Sequence, residues 1–398
     1  MAHVLIGFAE ALPAAEVVFS LLAAGHRVSA FGRNDHLPLR HLPLSSFCRI
    51  PAPEANAVAA ADTLHTLMQG AMEGAGPPDL FLPLDDAGLW LAGAARLEPA
   101  RVAGASGIQA EIALDKARQI EAAQTAGLAV PPTLTLNCET PDGNASNLPV
   151  PAIAKPALAV SVSGERLGKG EAVYLADREA LHGFLEKQAR SEDGPWLVQP
   201  LIAGQGAGVF GFATGQGVVA WSGHTRLRMM NPHGSGSSAC AGAKVDPSLC
   251  DRVEAFIRAI DWRGPFMMEF LRDAGGTNWF MELNGRMWGS MALARRQGLE
   301  YPAWAVAFAL DPGFVPDPPE APDQNIVVRH LGRDILHVLF VLRGPKTAFH
   351  RAGWPRFGRS VAAVLRPAPK RAFYNYDPTF PQYFLRDAVW TVKRTVWR

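Results

Sequence analysis

The stretch that most constrains this chain runs from Phe266 to Arg286, where Phe-Met-Met-Glu-Phe-Leu and Trp-Phe-Met-Glu-Leu-Asn flank a Gly275-Gly276 centre. Apolar alternation around a glycine pair predicts a β-hairpin. A hairpin symmetric about that pair sets Glu269 directly opposite Glu282, with Cβ atoms roughly 5 Å apart. Asn284, two residues further on, points to the same face. Like charges facing each other across a ladder destabilise it unless something cationic lies between them. Three oxygen donors without a soft ligand suit a hard divalent ion, magnesium or else manganese, and disfavour zinc. Two solvated glutamates on an edge hairpin are the alternative, because a longer loop shifts the register.

The rest of the chain supplies the frame. His3 to Phe8, a helix through Glu16 to Ala24 stopped by Gly25, and Val28 to Phe31 read as a βαβ opening, hence a parallel sheet with helices on its faces. Its first turn holds only Gly7, so the glycine-rich fingerprint of a dinucleotide site is absent. Leu80 to Leu84 reads as another strand, followed by Asp85-Asp86 and a helix through Leu89 to Arg96. Acids at that place cap the next helix or contact a ligand, and capping is the expectation. A helix from about Ala110 to Gly127 carries Asp115-Lys116. Strands at 151–156 and 173–175 enclose a glycine-rich polar loop at 161–170, with a helix at 178–190 and a strand at 196–202 beyond them. Residues 208–228 alternate strands and glycines, 231–242 reads as a polar Gly/Ser loop, and 247–260 reads as a helix. Five prolines between Pro312 and Pro322 mark a linker.

At 398 residues the chain exceeds the roughly 250 to 300 at which one core stops growing. With 48% hydrophobic and 19% charged residues it is not a disordered polymer. No apolar run approaches the roughly 20 residues of a membrane-spanning helix, and the N-terminus lacks the features of a secretory signal. Cys48, Cys138, Cys240 and Cys250 are scattered without a C-x-x-C pair, which argues against a disulfide framework or a structural zinc site and fits reduced thiols in the cytoplasm. Charge is uneven. Residues 331–398 hold thirteen of the 38 bases and three of the 37 acids, leaving 25 bases against 34 acids before them. Ten aromatic residues from Trp354 to Trp397 are interleaved among those charges, a combination that suits peripheral contact with the anionic inner face of a membrane. Docking of that segment on the acidic body is the alternative, and no motif supports nucleic acid.

The order Leu114-Asp-Lys116 on a helix, Ala154-Lys155-Pro156 on a strand, a glycine-rich loop, Val198-Gln199-Pro200-Leu201-Ile202, and Glu269 with Glu282-x-Asn284-x-Arg286 resembles the ATP-grasp superfamily. More narrowly, it is similar to the carboxylate-amine ligase and carbamoyl-phosphate-synthase-like branch. The resemblance covers roughly residues 1–310. It implies an α/β and α+β architecture: a Rossmann-like parallel-sheet domain over 1–108, ATP-grasp lobes over 109–195 and 196–315, and a basic aromatic extension over 323–398 outside the resemblance.

For the site, the resemblance implies ATP between the lobes with magnesium bridging its phosphates. Lys116 and Lys155 would meet those phosphates as point charges, and the loop at 161–170 would close over them. The hinge would bind adenine through the carbonyl of Pro200 and the N–H of Ile202. The acid that commonly holds the ribose has no counterpart, and Gln205 stands where an amide would substitute. Arg226 and Arg228 alternate on one strand and suit a carboxylate or phosphate. Arg286 faces the cation side and is the candidate for stabilising a transferring phosphoryl group. His233 is a general-base candidate from a loop, where histidines are more often simply exposed. The implied activity joins a small-molecule carboxylate to an amine through an acyl phosphate, in a family where dimers are common. A non-catalytic ATP-binding sensor or scaffold at the membrane is the competing expectation.

Overall fold

A computed structural model of the chain describes residues 1–70, 75–136, 148–188, 194–346, 350–351, 353–367 and 370–396. Cys138, Trp397 and the end of the helix expected at 178–190 lie outside the described residues.

The first domain is a four-stranded parallel sheet in the order Ser46–Arg49, Arg27–Gly32, His3–Gly7, Leu80–Pro83. All five residues of His3–Gly7 are buried, as befits a central parallel strand covered by helices on both faces. Asp85 caps the helix Asp86–Ala94 by accepting from the N–H of Gly88 at 2.7 Å. That is the expected capping role, and it leaves the neighbouring Asp86 free for another task.

Between Gly107 and Thr125 the chain forms two helices in place of the single one expected. Asp115 leaves helical geometry and caps Lys116–Thr125 through the N–H groups of Ala117 and Arg118, at 2.9 and 3.2 Å. A cap at that point fixes Lys116 as the first residue of a new helix, and its N–H donates to the carbonyl of Ala157, 2.8 Å away. The break therefore carries Lys116 to within two residues of the strand end that holds Lys155. That strand, Ala152–Pro156, belongs to an antiparallel sheet in the order Leu134–Leu136, Trp196–Pro200, Ala152–Pro156, Val173–Leu175, with the helix Arg178–Gln188 packed on it.

The third sheet has seven strands: Asn278–Asn284, Gly264–Arg272, Gln205–Thr214, Gly217–Asn231, Ser235–Gly242, Val327–Arg329 and Arg371–Phe373. Three of its members depart from the sequence reading. Ser235–Gly242 lies in the stretch read as a polar loop, because strand neighbours on both sides satisfy its backbone whatever its Gly/Ser propensity says. Val327–Arg329 and Arg371–Phe373 come from beyond the proline-rich linker, so the C-terminal segment extends this sheet and does not stand apart from it.

One continuous core joins the first domain, the seven-stranded sheet and the C-terminal segment, from Val4 and Phe19 through Phe210 and Trp288 to Tyr374 and Tyr383. Phe210, Trp288 and Tyr301 are fully buried with ring centroids 5.1 to 6.2 Å apart. Each such ring contributes about 1.5–3 kcal/mol by burial. Phe380 stacks on Phe19 at 5.9 Å, and the buried Glu16 accepts from Arg295 Nη1 at 2.7 Å and the N–H of Asn375 at 2.8 Å. Of the aromatics behind the membrane expectation, Tyr374 and Tyr383 are thus buried in this core with Phe380 and Trp390 packed against it, while Phe357 and Tyr376 stay exposed. No described helix is long and apolar enough to cross a membrane.

Candidate active site

Glu269 does pair with Glu282, by a route the symmetric hairpin did not contain. The outer ladder pairs Arg272 with Asn278 and Phe270 with Phe280, and the register then shifts so that Glu269 meets Glu282 and Met267 meets Asn284. Met281 is the extra residue of a β-bulge. A five-residue loop closes the end, with Asp273 accepting from the N–H of Thr277 at 2.9 Å and from Trp279 Nε1 at 2.8 Å. The bulge turns Phe280 with Phe270 into the helix-covered core and leaves Glu269, Glu282 and Asn284 facing a cleft of about 290 Å³.

Next to the glutamates, the strand Gln205–Thr214 presents Gly206 and Gly208 on the cleft face. A Cβ at Gly206 would stand 2.6 Å from Arg226 Cδ, and one at Gly208 would stand 2.8 Å from His224 Cε1. Glycine here is room for two side chains of the next strand to lie across the sheet toward the acids. Arg226 Nη2 reaches Glu269 Oε2 at 2.6 Å. His224 Nδ1 is 2.8 Å from Ser290 Oγ, while its buried Nε2 has no partner among the described residues. Burial, reinforced by Arg226, lowers His224 to about 4, so it is a neutral hydrogen-bonding group at pH 7. Glu282 makes no ion pair among the described residues, and burial together with Glu269 raises its pKa, against the pull of Lys116 and Arg286.

Arg286 completes this face. Its Nε donates to Asp86 Oδ1 at 3.1 Å, and Asp86 Oδ2 takes Lys169 Nζ at 3.2 Å. Despite burial, those two cations hold Asp86 down to about 2. One acid of the first domain therefore orients the arginine of the third sheet and anchors the glycine-rich segment, which forms the small hairpin Ser161–Ser163 and Arg166–Gly168. Sequence reasoning treated Asp85-Asp86 only as a pair of caps or ligand contacts. The missed signal was that one cap needs only one of two acids.

Lys155, from the second sheet, and Lys116, from the start of its helix, both act on Glu282. Burial, with Lys116 adding and Glu282 opposing, lowers Lys155 to about 8. In the hinge strand, Gln199 Nε2 donates to Thr133 Oγ1 at 2.8 Å, which ties that side chain into the lobe. Pro200 ends the ladder against Ala152, the N–H of Leu201 donates to Pro151 at 2.9 Å, and Ile202 lies past the strand end.

Three expected residues stand elsewhere. Arg228 is not beside Arg226, because register shifts around Leu227 pair Arg226 with Cys240 but Arg228 with Ala239. Neighbouring residues of a strand point to opposite faces, so Arg228 leaves the cleft and binds Asp334, which also holds Arg329. Gln205 alternates with Gly206 and Gly208 and lines a different cavity, its Nε2 donating to the carbonyl of Arg226 at 3.2 Å. That cavity is larger, about 750 Å³, but it lacks the paired acids. His233 accepts from the N–H of Lys346 at 2.9 Å and packs on Trp354, against the C-terminal segment.

No protein-family model and no curated protein matches the chain. Solved structures do. An L-amino acid ligase from Bacillus licheniformis superposes with a TM-score of 0.58 at 16% identity, covering 82% of this chain and 78% of that one. The biotin carboxylase domain of a Hydrogenobacter thermophilus 2-oxoglutarate carboxylase, solved with MgADP, ADP and bicarbonate, gives 0.62 at 16%, covering 82% and 73%. An N5-carboxyaminoimidazole synthetase from Staphylococcus aureus with ADP gives 0.57 at 13%, covering 79% of each chain. Over four-fifths of its length the chain therefore adopts the fold of these enzymes, the ATP-grasp fold that the motif order resembles.

Proposed function

We propose that the protein is an ATP-dependent ligase that joins a carboxylate to an amine. The observation that carries this reading is the Glu269–Glu282 pair with Asn284 on one cleft face, flanked by Arg226 and Arg286 and approached by Lys116 and Lys155. The donor chemistry suits magnesium. Glu282 is a half-buried carboxylate without an ion pair among the described residues, and Glu269 has lone pairs left after binding Arg226. Among the described residues no group of three or more His, Cys, Asp or Glu is assembled. Two carboxylates and an amide thus leave the remaining positions to phosphate oxygens and water, the habit of a magnesium–nucleotide site. When bound, the cation supplies charge neutralisation across the transferring phosphoryl group.

The chain's own groups then have these tasks. Lys116 and Lys155 hold phosphate oxygens, and the carbonyl of Pro200 and the N–H of Ile202 take the adenine edge. A substrate carboxylate oxygen attacks the γ-phosphorus as the bond to ADP breaks, giving an acyl phosphate. The amine then attacks the acyl carbon, phosphate departs with the C–O electron pair, and the new amide nitrogen loses a proton. Arg286, fixed by Asp86, stabilises charge on the phosphoryl group, and the neutral Nε2 of His224 hydrogen-bonds the substrate.

The test is ADP release from ATP with pooled carboxylates and amines, with and without magnesium. Release that requires magnesium, a carboxylate and an amine supports the reading. Tight ATP binding that no substrate pool converts to ADP overturns it in favour of a non-catalytic nucleotide sensor.

A further inference from the structure

We propose that Arg333 is an anchor for a second oxyanion of the substrate, a carboxylate or a phosphate apart from the carboxylate that is activated. This rests on the ligase reading for what occupies the cleft. Arg333 lies in the first turn of the helix Leu331–Arg343, in the segment that follows the proline-rich linker. Together with Ala11 and Leu12 it lines three adjoining cavities. One is the cleft of Glu269, Glu282 and Arg286. The second, about 1020 Å³, is bounded by Arg33, Asp86 and Lys169, and the third is a recess of about 120 Å³ beside Trp390. The side chain thus reaches from the C-terminal segment to the corner where the cleft opens toward the first domain.

What distinguishes Arg333 is its lack of a carboxylate. Arg226 has Glu269, Arg286 has Asp86, Arg295 has Glu16 and Glu300, and Arg228 and Arg329 share Asp334. Among the described residues Arg333 forms no ion pair, and its guanidinium is held by one backbone acceptor, the carbonyl of Ser237 at 3.0 Å from Nη1. Asp387 acts on Arg333 only from a distance, being engaged with His330 Nε2 at 3.1 Å and Asn375 Nδ2 at 3.0 Å. Room for the guanidinium is built in, since Gly236 has φ +59° and a Cβ there would stand 2.9 Å from Nη1. Withdrawing a guanidinium even partly from water without a carboxylate in contact opposes folding. A planar fork with free N–H groups in a cleft is also the geometry that takes a carboxylate or phosphate in a bidentate manner. Both facts are accounted for if the counter-charge arrives with the substrate.

The experiment uses the full chain saturated with MgADP and titrated with succinate or inorganic phosphate, read by calorimetry and thermal shift. The wild type should bind one of these probes, and which one identifies the oxyanion. Arg333→Gln, which keeps a donor for the Ser237 carbonyl, should weaken that binding about thirtyfold and leave MgADP affinity within about twofold. Arg333→Met should melt at or above the wild-type temperature without ligand, because it removes a half-buried charge that has no ion pair among the described residues. Equal probe binding in wild type and Arg333→Gln, or a markedly lower melting temperature in Arg333→Met, overturns the proposal by assigning the arginine to the fold. Loss of MgADP binding in the wild type would instead strike the ligase reading, and probe binding that depends on Arg333 would still support the anchor.

Discussion

The two ends of the cleft carry charge differently. At the hairpin end, Arg226 and Arg286 each close on a carboxylate, Glu269 and Asp86. At the corner that opens toward the first domain, Arg333 has only a backbone carbonyl. Paired charges satisfy each other and fix geometry, so they survive without a ligand. An unpaired charge in a concave site marks a place where something else brings the counter-charge. Glu282, likewise without an ion pair among the described residues, is the anionic counterpart at the hairpin end, and burial together with Glu269 raises its pKa.

Breaking the unpaired acid should have the largest consequence. Glu282→Gln should lower ligase turnover on the order of a thousandfold while leaving the fold intact, since the amide cannot neutralise a cation. Turnover by ADP release and circular dichroism measure the two halves of that statement, and normal turnover would remove the cation site. Paired charge of the structural kind should behave oppositely. Asp334→Ala leaves Arg228 and Arg329 facing each other unneutralised and should cost about 3–5 kcal/mol in denaturant unfolding. Turnover per folded molecule should stay unchanged, and a large loss there would return Arg228 to the site.

Asp86→Asn tests a pair that serves both purposes. It keeps an acceptor for Arg286 but removes the charge that aims the arginine and the Lys169 contact, so turnover should fall about tenfold to a hundredfold with nucleotide affinity less affected. A smaller effect belongs to Lys155. Its pKa is lowered, so the unliganded lysine is charged below pH 8 and loses its proton as pH rises through 8. Metal-free ADP should therefore bind about tenfold more weakly per pH unit above that point. Lys155→Met should flatten the profile, and an unchanged slope would detach the lysine from the phosphates. The smallest effect is assigned to Gln205→Ala, which should change ADP affinity by less than about twofold because the side chain faces the other cavity.

What the sequence by itself determined was local. Alternation around Gly275-Gly276, with acids at 269 and 282, specified a hairpin with opposed carboxylates, and the spacing Glu282-x-Asn284 placed two oxygen donors on one face because strands repeat every two residues. Even there the register was right through a bulge at Met281 that no local rule announced. The same rule failed at Arg226 and Arg228, where an inserted residue in the strand reversed a face. Asp86 reached Arg286 across 200 residues, and Arg333 reached the cleft only because Val327–Arg329 extends a sheet begun at Gln205. Contacts of that kind depend on the net balance of long-range burial and strand pairing, which a local pattern does not encode. Tertiary structure alone therefore decided which charges are matched within the chain and which are left for a ligand.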